Sequence, residues 1–307
     1  VQRVAAGAVL AAFGALACAA PPASPWRASW QDRGAVRTID CGDGTLWTLD
    51  IGEGDAVILL HGLGGSAYDW REVVASLAER GFRAVVPDLL GCGASEIRTN
   101  EDYCPVAQAQ RVVALARALG IERAFVAGNS YGGAVAAAMA FEEPEFVRAL
   151  VLISPAIVEQ TPPLYIGVAR VPVVGEIAYG VAPTRTVVRR VLARAWGPEG
   201  EPPEEVVEEY VREQRRPGRT HANLHLARDF DDRHARGVLH RLGEIRCPVL
   251  VLWGTDDAVT PVENAAEVAR RIPHAWIERI EGTGHVPHMT RPVLIVARLA
   301  DWLRQNR

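Results

Sequence analysis

The stretch Gly128-Asn129-Ser130-Tyr131-Gly132-Gly133 follows the apolar run Ala124-Phe125-Val126-Ala127 and precedes the alanine-rich segment Ala134 to Ala140. This order reads as a strand, a tight turn and a helix. A serine between small residues at such a turn is held in a strained conformation, with its hydroxyl exposed above the sheet and facing the helix N-terminus. Gly128 and Gly132 let the two elements approach closely. Gly-x-Ser-x-Gly also occurs in ordinary loops, so its weight depends on what else the chain carries.

Three further segments occur in a consistent order. Upstream, Val57-Ile58-Leu59-Leu60 reads as a buried strand entering His61-Gly62-Leu63-Gly64-Gly65, a turn whose backbone N–H groups can face a site. Downstream, the apolar run Pro248 to Trp253 ends in Gly254-Thr255-Asp256-Asp257, which places an acid at a strand's carboxyl end. Later, Trp276 to Ile280 leads to Gly282-Thr283-Gly284-His285-Val286-Pro287-His288, which puts a histidine on the loop after the last strand. The chain order is Ser, Asp, His.

These segments, with Val86-Pro87-Asp88-Leu89-Leu90-Gly91-Cys92-Gly93-Ala94-Ser95 as a fourth match, closely resemble the α/β-hydrolase superfamily over about residues 36 to 305, in its capped branch of esterases, lipases and carbon–carbon bond hydrolases. The resemblance implies an α/β fold: a mostly parallel eight-stranded sheet flanked by helices, with a helical cap insertion. It implies Ser130 as nucleophile, His285 as general base and Asp257 as the acid that orients it. It also implies an oxyanion hole from the N–H groups of Leu63 and Tyr131, on turns supported by His61, Gly62, Gly64, Gly128 and Gly132.

Elementary chemistry supports those roles. A serine hydroxyl is a poor nucleophile at neutral pH and needs an adjacent base, and histidine is the side chain whose unperturbed pKa lies closest to neutrality. A carboxylate fixes the imidazole tautomer. Two backbone donors stabilise a tetrahedral oxyanion, each worth on the order of 3 kcal/mol of barrier. His288 and Asp256 compete with His285 and Asp257, and the family spacing selects the latter pair. His61 reads as shaping the oxyanion turn, Asp88 as a loop residue bonding its own backbone, and Asp69 and Trp70 as packing behind the turn. His221 and His225 lie four apart, but no third ligand accompanies them, so no metal or cofactor is expected.

The chain has 307 residues, 49% hydrophobic and 23% charged, enough for one main domain plus an insertion. Its net charge of −4, without a basic block, argues against nucleic acid as a partner. All 33 basic residues are arginine, which excludes a Schiff-base lysine. Arg3 precedes an apolar run from Val4 to Ala20 that stops at Pro21-Pro22, as in a secretory signal over residues 1–20. Cleavage at Ala17-Cys18-Ala19 and lipidation of Cys18 at a loose bacterial lipobox are both open. The latter would attach the protein to a membrane, and residues 21–35 would be a tether. Export from a bacterial cytoplasm is the expectation. Cys41, Cys92, Cys104 and Cys247 are read as free buried thiols, with Cys92–Cys104 the pairing to test.

Residues 36–51 predict an opening hairpin at Gly42-Asp43-Gly44, and 36–153 with 247–307 the core. Helices are expected over Tyr68 to Arg80, Val106 to Leu119, Pro261 to Arg271 and Thr290 to Arg304. From 154 to 246 prolines separate short helical pieces, as in a cap. Its stretch from Leu164 to Val181 is expected to face substrate, and Glu201 to Arg216 to be a solvated charged helix. The function expected is hydrolysis of a small-molecule carboxylic ester through an acyl-enzyme on Ser130. The alternatives are hydrolysis of carbon–carbon bonds in dienoic ring-cleavage products, and a non-catalytic binding protein on the same fold.

Overall fold

Runs such as Val57–Leu60, Phe125–Ala127, Val151–Ile153 and Leu250–Leu252 lack polar alternation because both faces of their strands are covered. In the computed structural model, residues 24–99, 101–158, 164–171, 174–180, 185–229 and 232–307 are described. The expected signal and Cys18 lie outside them.

The strands are β1 (Val36–Asp40), β2 (Thr45–Ile51), β3 (Asp55–Leu60), β4 (Phe82–Pro87), β5 (Ala124–Asn129), β6 (Val147–Ile153), β7 (Val249–Gly254) and β8 (Trp276–Ile280). They form one eight-stranded sheet in the order β1-β2-β4-β3-β5-β6-β7-β8. The pairs β1–β2 and β2–β4 are antiparallel and the rest parallel. Around the core run helices α1 (Pro25–Asp32), α2 (Arg71–Glu79), α3 (Pro105–Ala118) and α4 (Tyr131–Glu142). Between β6 and β7 lie α5 (Leu164–Arg170), α6 (Val174–Gly180), α7 (Arg185–Trp196), α8 (Glu204–Gln214), α9 (Arg219–Asp229) and α10 (Asp232–Arg241). The chain closes with α11 (Asn264–Arg271), α12 (Pro287–Thr290) and α13 (Pro292–Gln305).

Alternate side chains of each strand feed two cores, one per face. Ile58, Leu60 and Val126 meet α3 and α4 through Val112, Val113 and Ala138, whereas Val57, Leu59 and Phe125 meet α2 and α13 through Val73, Leu77 and Leu299. Each such side chain contributes roughly 1.5–3 kcal/mol by leaving water. In the parallel part, Leu60 pairs with Gly128, Asn129 with Ile153, Ile153 with Leu252, and Gly254 with Ile280. Their carboxyl ends therefore converge on one edge, where ligands of open α/β sheets bind.

Several expectations need correction. The expected tether contains α1, capped by Ser24. Its Arg27 reaches Asp88 of the core at 2.7 Å and Glu213 of α8 at 3.1 Å, and lies over the Trp47 ring. Asp88 thus bonds more than its own loop, accepting from Ala94 N–H and Ala67 N–H at 2.7 Å each. The helix expected from Pro261 begins at Asn264, and the closing helix expected from Thr290 begins at Pro292, after a separate short α12 and a break at Arg291 (φ −130°, ψ 56°), whose conformation is restricted by Pro292. Helix α8 is not simply solvated, since Val206, Val207, Glu209 and Glu213 are buried. As expected, Cys41, Cys92, Cys104 and Cys247 are all free, with Cys92 and Cys104 buried and Cys41 and Cys247 half-buried.

Candidate active site

Ser130 stands between β5 and α4 with φ 54° and ψ −119°, a left-handed conformation that side chains rarely adopt. The turn holds because its neighbours are glycines. A Cβ on Gly128 would run into the Gly132 carbonyl, and one on Gly132 into the carbonyls of Leu60 and His61. The backbone around the serine is tied to β6: Ser130 N–H donates to Ile153 at 3.0 Å and its carbonyl accepts from Ala156 at 3.0 Å. Tyr131 opens α4, so its N–H stands at a helix N-terminus, where negative charge is favoured.

His285 lies on the loop after β8, and its Nδ1 is 2.8 Å from Asp257 Oδ2. Asp257 lies just beyond β7 and is further held by the N–H groups of Val259 and Thr260, each 2.8 Å from Oδ1. Burial opposes ionisation of Asp257, but His285 and the hydrogen bonds more than offset it and hold the carboxyl below its ordinary pKa. The ionised acid requires the proton on His285 Nδ1, which leaves Nε2 as an acceptor. Asn129 Nδ2 donates to the His285 carbonyl at 2.9 Å and to Ile153 at 3.1 Å, joining the serine turn to the histidine loop.

The upstream turn packs on the serine, since a Cβ on Gly62 would lie 3.4 Å from Ser130 Cβ. His61 is fully buried, which pushes its pKa down to about 4 and keeps the ring neutral. Its Nε2 accepts from Leu89 N–H at 3.0 Å, so Nδ1 carries the proton and donates to the Gly62 carbonyl at 2.8 Å. Gly65 N–H donates to the same carbonyl at 3.1 Å. With the Gly62 carbonyl fixed by two donors, the planar trans peptide directs the Leu63 N–H the opposite way. Gly64, with φ 79°, allows the chain to turn there.

The structure thus brings Ser130, Asp257, His285, Leu63 and Tyr131 to one edge, on elements that pair side by side. It separates their competitors. His288 is fully buried against Trp70, ring centroids 4.5 Å apart, with neither ring nitrogen hydrogen-bonded, and burial pushes its pKa down to about 3. Asp256 bonds the Thr255 hydroxyl instead of a histidine. The His221 and His225 rings pack against each other, centroids 4.2 Å apart and tilted by 40°, and His221 Nε2 lies 3.2 Å from the Thr99 carbonyl.

Thr260 is a member that the motifs did not disclose. Its hydroxyl lies 2.9 Å from Asp257 Oδ2, 3.2 Å from His285 Nδ1 and 3.2 Å from the Ser154 carbonyl. The Asp-x-x-Thr spacing of Asp257 and Thr260 was the available signal, since a carboxylate commonly accepts from the backbone N–H groups that follow it.

A cavity of about 380 Å³ opens beside the upstream turn, lined by Leu63 and Gly64 from the core and by Val168, Val188, Leu192 and Tyr210, among others, from the cap. Of the stretch expected to face substrate, Leu164, Val168 and Ala178 border it, but Leu164 and Ala178 are themselves exposed, as are Val171, Val174 and Ile177. Among the described residues lining it there is no arginine or histidine.

The sequence model of the alpha/beta hydrolase fold family matches residues 55–292. An uncharacterised protein of Mycobacterium tuberculosis is 31% identical over 280 residues, covering 81% of this chain and 76% of its own. A 2-hydroxy-6-oxo-6-phenylhexa-2,4-dienoate hydrolase of Comamonas testosteroni is 27% identical, covering 87% of this chain and 94% of its own. Among solved structures, a thermophilic esterase of Thermogutta terrifontis is similar with a TM-score of 0.73 and 26% identity, covering 88% of this chain and 98% of its own. By its sequence, its sheet and the strained turn at Ser130, the chain belongs to the α/β-hydrolase family.

Proposed function

We propose that the protein is a serine hydrolase of carboxylic esters. The observation that carries this reading is the pairing of a strained, partly exposed Ser130 with a buried His285–Asp257 couple at 2.8 Å on the same edge of the sheet. Ser130 Oγ attacks the ester carbonyl and gives its proton to His285 Nε2, while the N–H groups of Leu63 and Tyr131 hold the oxyanion. Collapse expels the alcohol, which takes that proton. Water then gives a proton to His285 and attacks the acyl carbon, releasing the acid and restoring the serine.

A second reading, hydrolysis of a carbon–carbon bond in a dienoate, has support in the Comamonas testosteroni relative. A dienoate carries a carboxylate, and the described cavity wall offers it no cationic side chain. That wall suits an uncharged acyl chain instead. The test is turnover of p-nitrophenyl esters from acetate to palmitate by the wild type and Ser130→Ala, with a dienoic ring-cleavage product alongside. Ester turnover lost in the variant supports the first reading. Turnover of the dienoate alone would replace it with the second.

A further inference from the structure

The cap is bonded to the loops that carry the candidate catalytic groups. At the end of α7, Arg194 Nη2 donates to the Ala258 carbonyl at 2.6 Å, beside Asp257, and the Ala195 carbonyl accepts His285 N–H at 2.7 Å. Helix α8 holds the upstream turn. Tyr210 donates its hydroxyl to Asp69 Oδ1 at 2.8 Å, and Gln214, one helical turn on and so on the same face, donates Nε2 to the Gly64 carbonyl at 3.2 Å. Asn223 Nδ2 of α9 fixes Gln214 through Oε1 at 2.5 Å.

These contacts fall where the turn is weakest. The Gly62 carbonyl is held from the core by His61 and Gly65, but the next two peptides run through Gly64 and Gly65, which have no side chains to anchor them. Gln214 restrains the Gly64 carbonyl directly. Tyr210 acts through Asp69, whose carboxylate lies so close to Gly65 that a Cβ there would collide with it. Tyr210, Gln214 and Asn223 also line the cavity, so an acyl chain would pack against the groups that hold the turn.

We propose that Gln214 and Tyr210 are positioning residues for the oxyanion turn: by seating α8 on Gly64 and Asp69 they hold the Gly64–Gly65 peptide, whose Gly65 N–H is one of the two donors that fix the Gly62 carbonyl and with it the direction of the Leu63 N–H. This rests on the ester-hydrolase reading above. It makes the cap part of the rate-determining geometry as well as the wall of the substrate pocket. Removing an oxyanion donor outright costs roughly 100- to 1,000-fold in kcat, and misdirecting one should cost less.

The test uses Gln214→Met, which keeps the length and removes the donor, and Tyr210→Phe, which removes one oxygen. With p-nitrophenyl acetate, whose acyl group is too short to fill the cavity, kcat should fall roughly 10- to 100-fold in Gln214→Met and by a smaller factor in Tyr210→Phe, with KM changed less than about threefold. Affinity for a phenylboronic acid, which forms a tetrahedral adduct on the serine, should fall in parallel with kcat. Melting temperatures are measured beside the kinetics, and Tyr210→Phe decides the matter if Gln214→Met is unfolded. If both variants keep the wild-type kcat and boronate affinity while palmitate KM alone rises, these residues serve only as pocket wall and the proposal is overturned. Ser130→Ala separates the two levels. Activity surviving in it removes the ester-hydrolase reading and this proposal together, whereas strict dependence on Ser130 with unaltered cap variants removes only this proposal.

Discussion

The carboxyl edge of the sheet and the cap above it are built from the same chain under different rules. At the sheet edge the polar groups sit in definite bonds, such as His61 between Leu89 and Gly62, and Asp257 between Val259, Thr260 and His285. In the cap, Leu164 and Ile177 are 83% and 63% exposed, and buried polar atoms such as Arg212 Nε and Glu209 Oε1 have no hydrogen-bond partner. The edge has one arrangement at the candidate site because His61, Asp257 and His285 are bonded by groups that are themselves fixed, although the neighbouring His288 ring and the Ser154 hydroxyl lack hydrogen-bond partners. The cap is specified more loosely, and depends on a few polar bonds to the core for its position. Chemistry should therefore be sensitive to single atoms at the edge, and substrate preference to volumes in the cap.

The largest break in that contrast is expected at Ser130. Ser130→Ala should lower kcat by on the order of a million-fold if the three groups act as a unit, read by ester turnover after verified folding. Asp257→Asn should follow with a loss of about 10,000-fold, because the amide favours the wrong imidazole tautomer while keeping the shape. Equal, small losses in both would place the chemistry elsewhere.

The edge was legible in the sequence because its requirements are local. Gly128 and Gly132 are forced by backbone collisions within the serine turn and its neighbouring strand, while Asp257 lies just past the apolar strand β7 and His285 on the loop after β8. The fold order was legible for the same reason, through runs buried on both faces. What could not be read were contacts between segments far apart in sequence. Arg27 looked like part of a polar tether because neither Asp88 nor Glu213 is near it along the chain. Helix α8 looked solvated because Glu209 and Glu213 are charged, although both are buried. Thr260 was hidden because a threonine in a turn has many uses, and only the fold brings the Ser154 carbonyl and His285 to its hydroxyl.

Arg27 tests how the two regions are held together. It is largely buried, and although burial disfavours its charge, Asp88 and Glu213 more than compensate and raise its pKa. Arg27→Met would remove the cation in direct contact with both carboxylates, leaving them buried with Arg219 and Arg216 farther off to offset their repulsion, at a cost of up to roughly 3–5 kcal/mol. The expected readout is a lower melting temperature, with cap helices losing hydrogen-exchange protection before the sheet. Uniform loss of protection would mean that cap and core unfold as one unit.

Asp69 sharpens the comparison through pH. Burial raises its pKa from 3.8 to about 7, partly opposed by the hydroxyl of Tyr210 and by Arg71. A raised folded-state pKa means that its stabilising contribution is complete below about pH 4 and is lost as pH rises through about 7. His61 and His288, depressed to about 4 and about 3, act in the opposite sense, losing stability as pH falls from about 6.5 through those values. Asp69→Asn should therefore gain stability over the wild type between pH 5 and 8, on the order of 2 kcal/mol, and leave the acid limb in place. An unchanged difference across that range would show that Asp69 titrates normally.

The smallest effect is expected at Thr260, where one hydroxyl spans the acid, the histidine and the end of β6. Thr260→Val keeps the shape and removes the hydroxyl, leaving the Ser154 carbonyl without that donor and Asp257 with its two backbone donors and His285. The acid remains ionised and paired, so the triad survives, but the imidazole loses a lateral restraint at Nδ1. A loss of about tenfold in kcat with KM unchanged is expected, equivalent to about 1.4 kcal/mol. Thr260→Ser, which restores the hydroxyl without the methyl group, should recover most of it. If the serine variant were as slow as the valine one, the methyl packing of Thr260 rather than its hydroxyl would be what orients the pair.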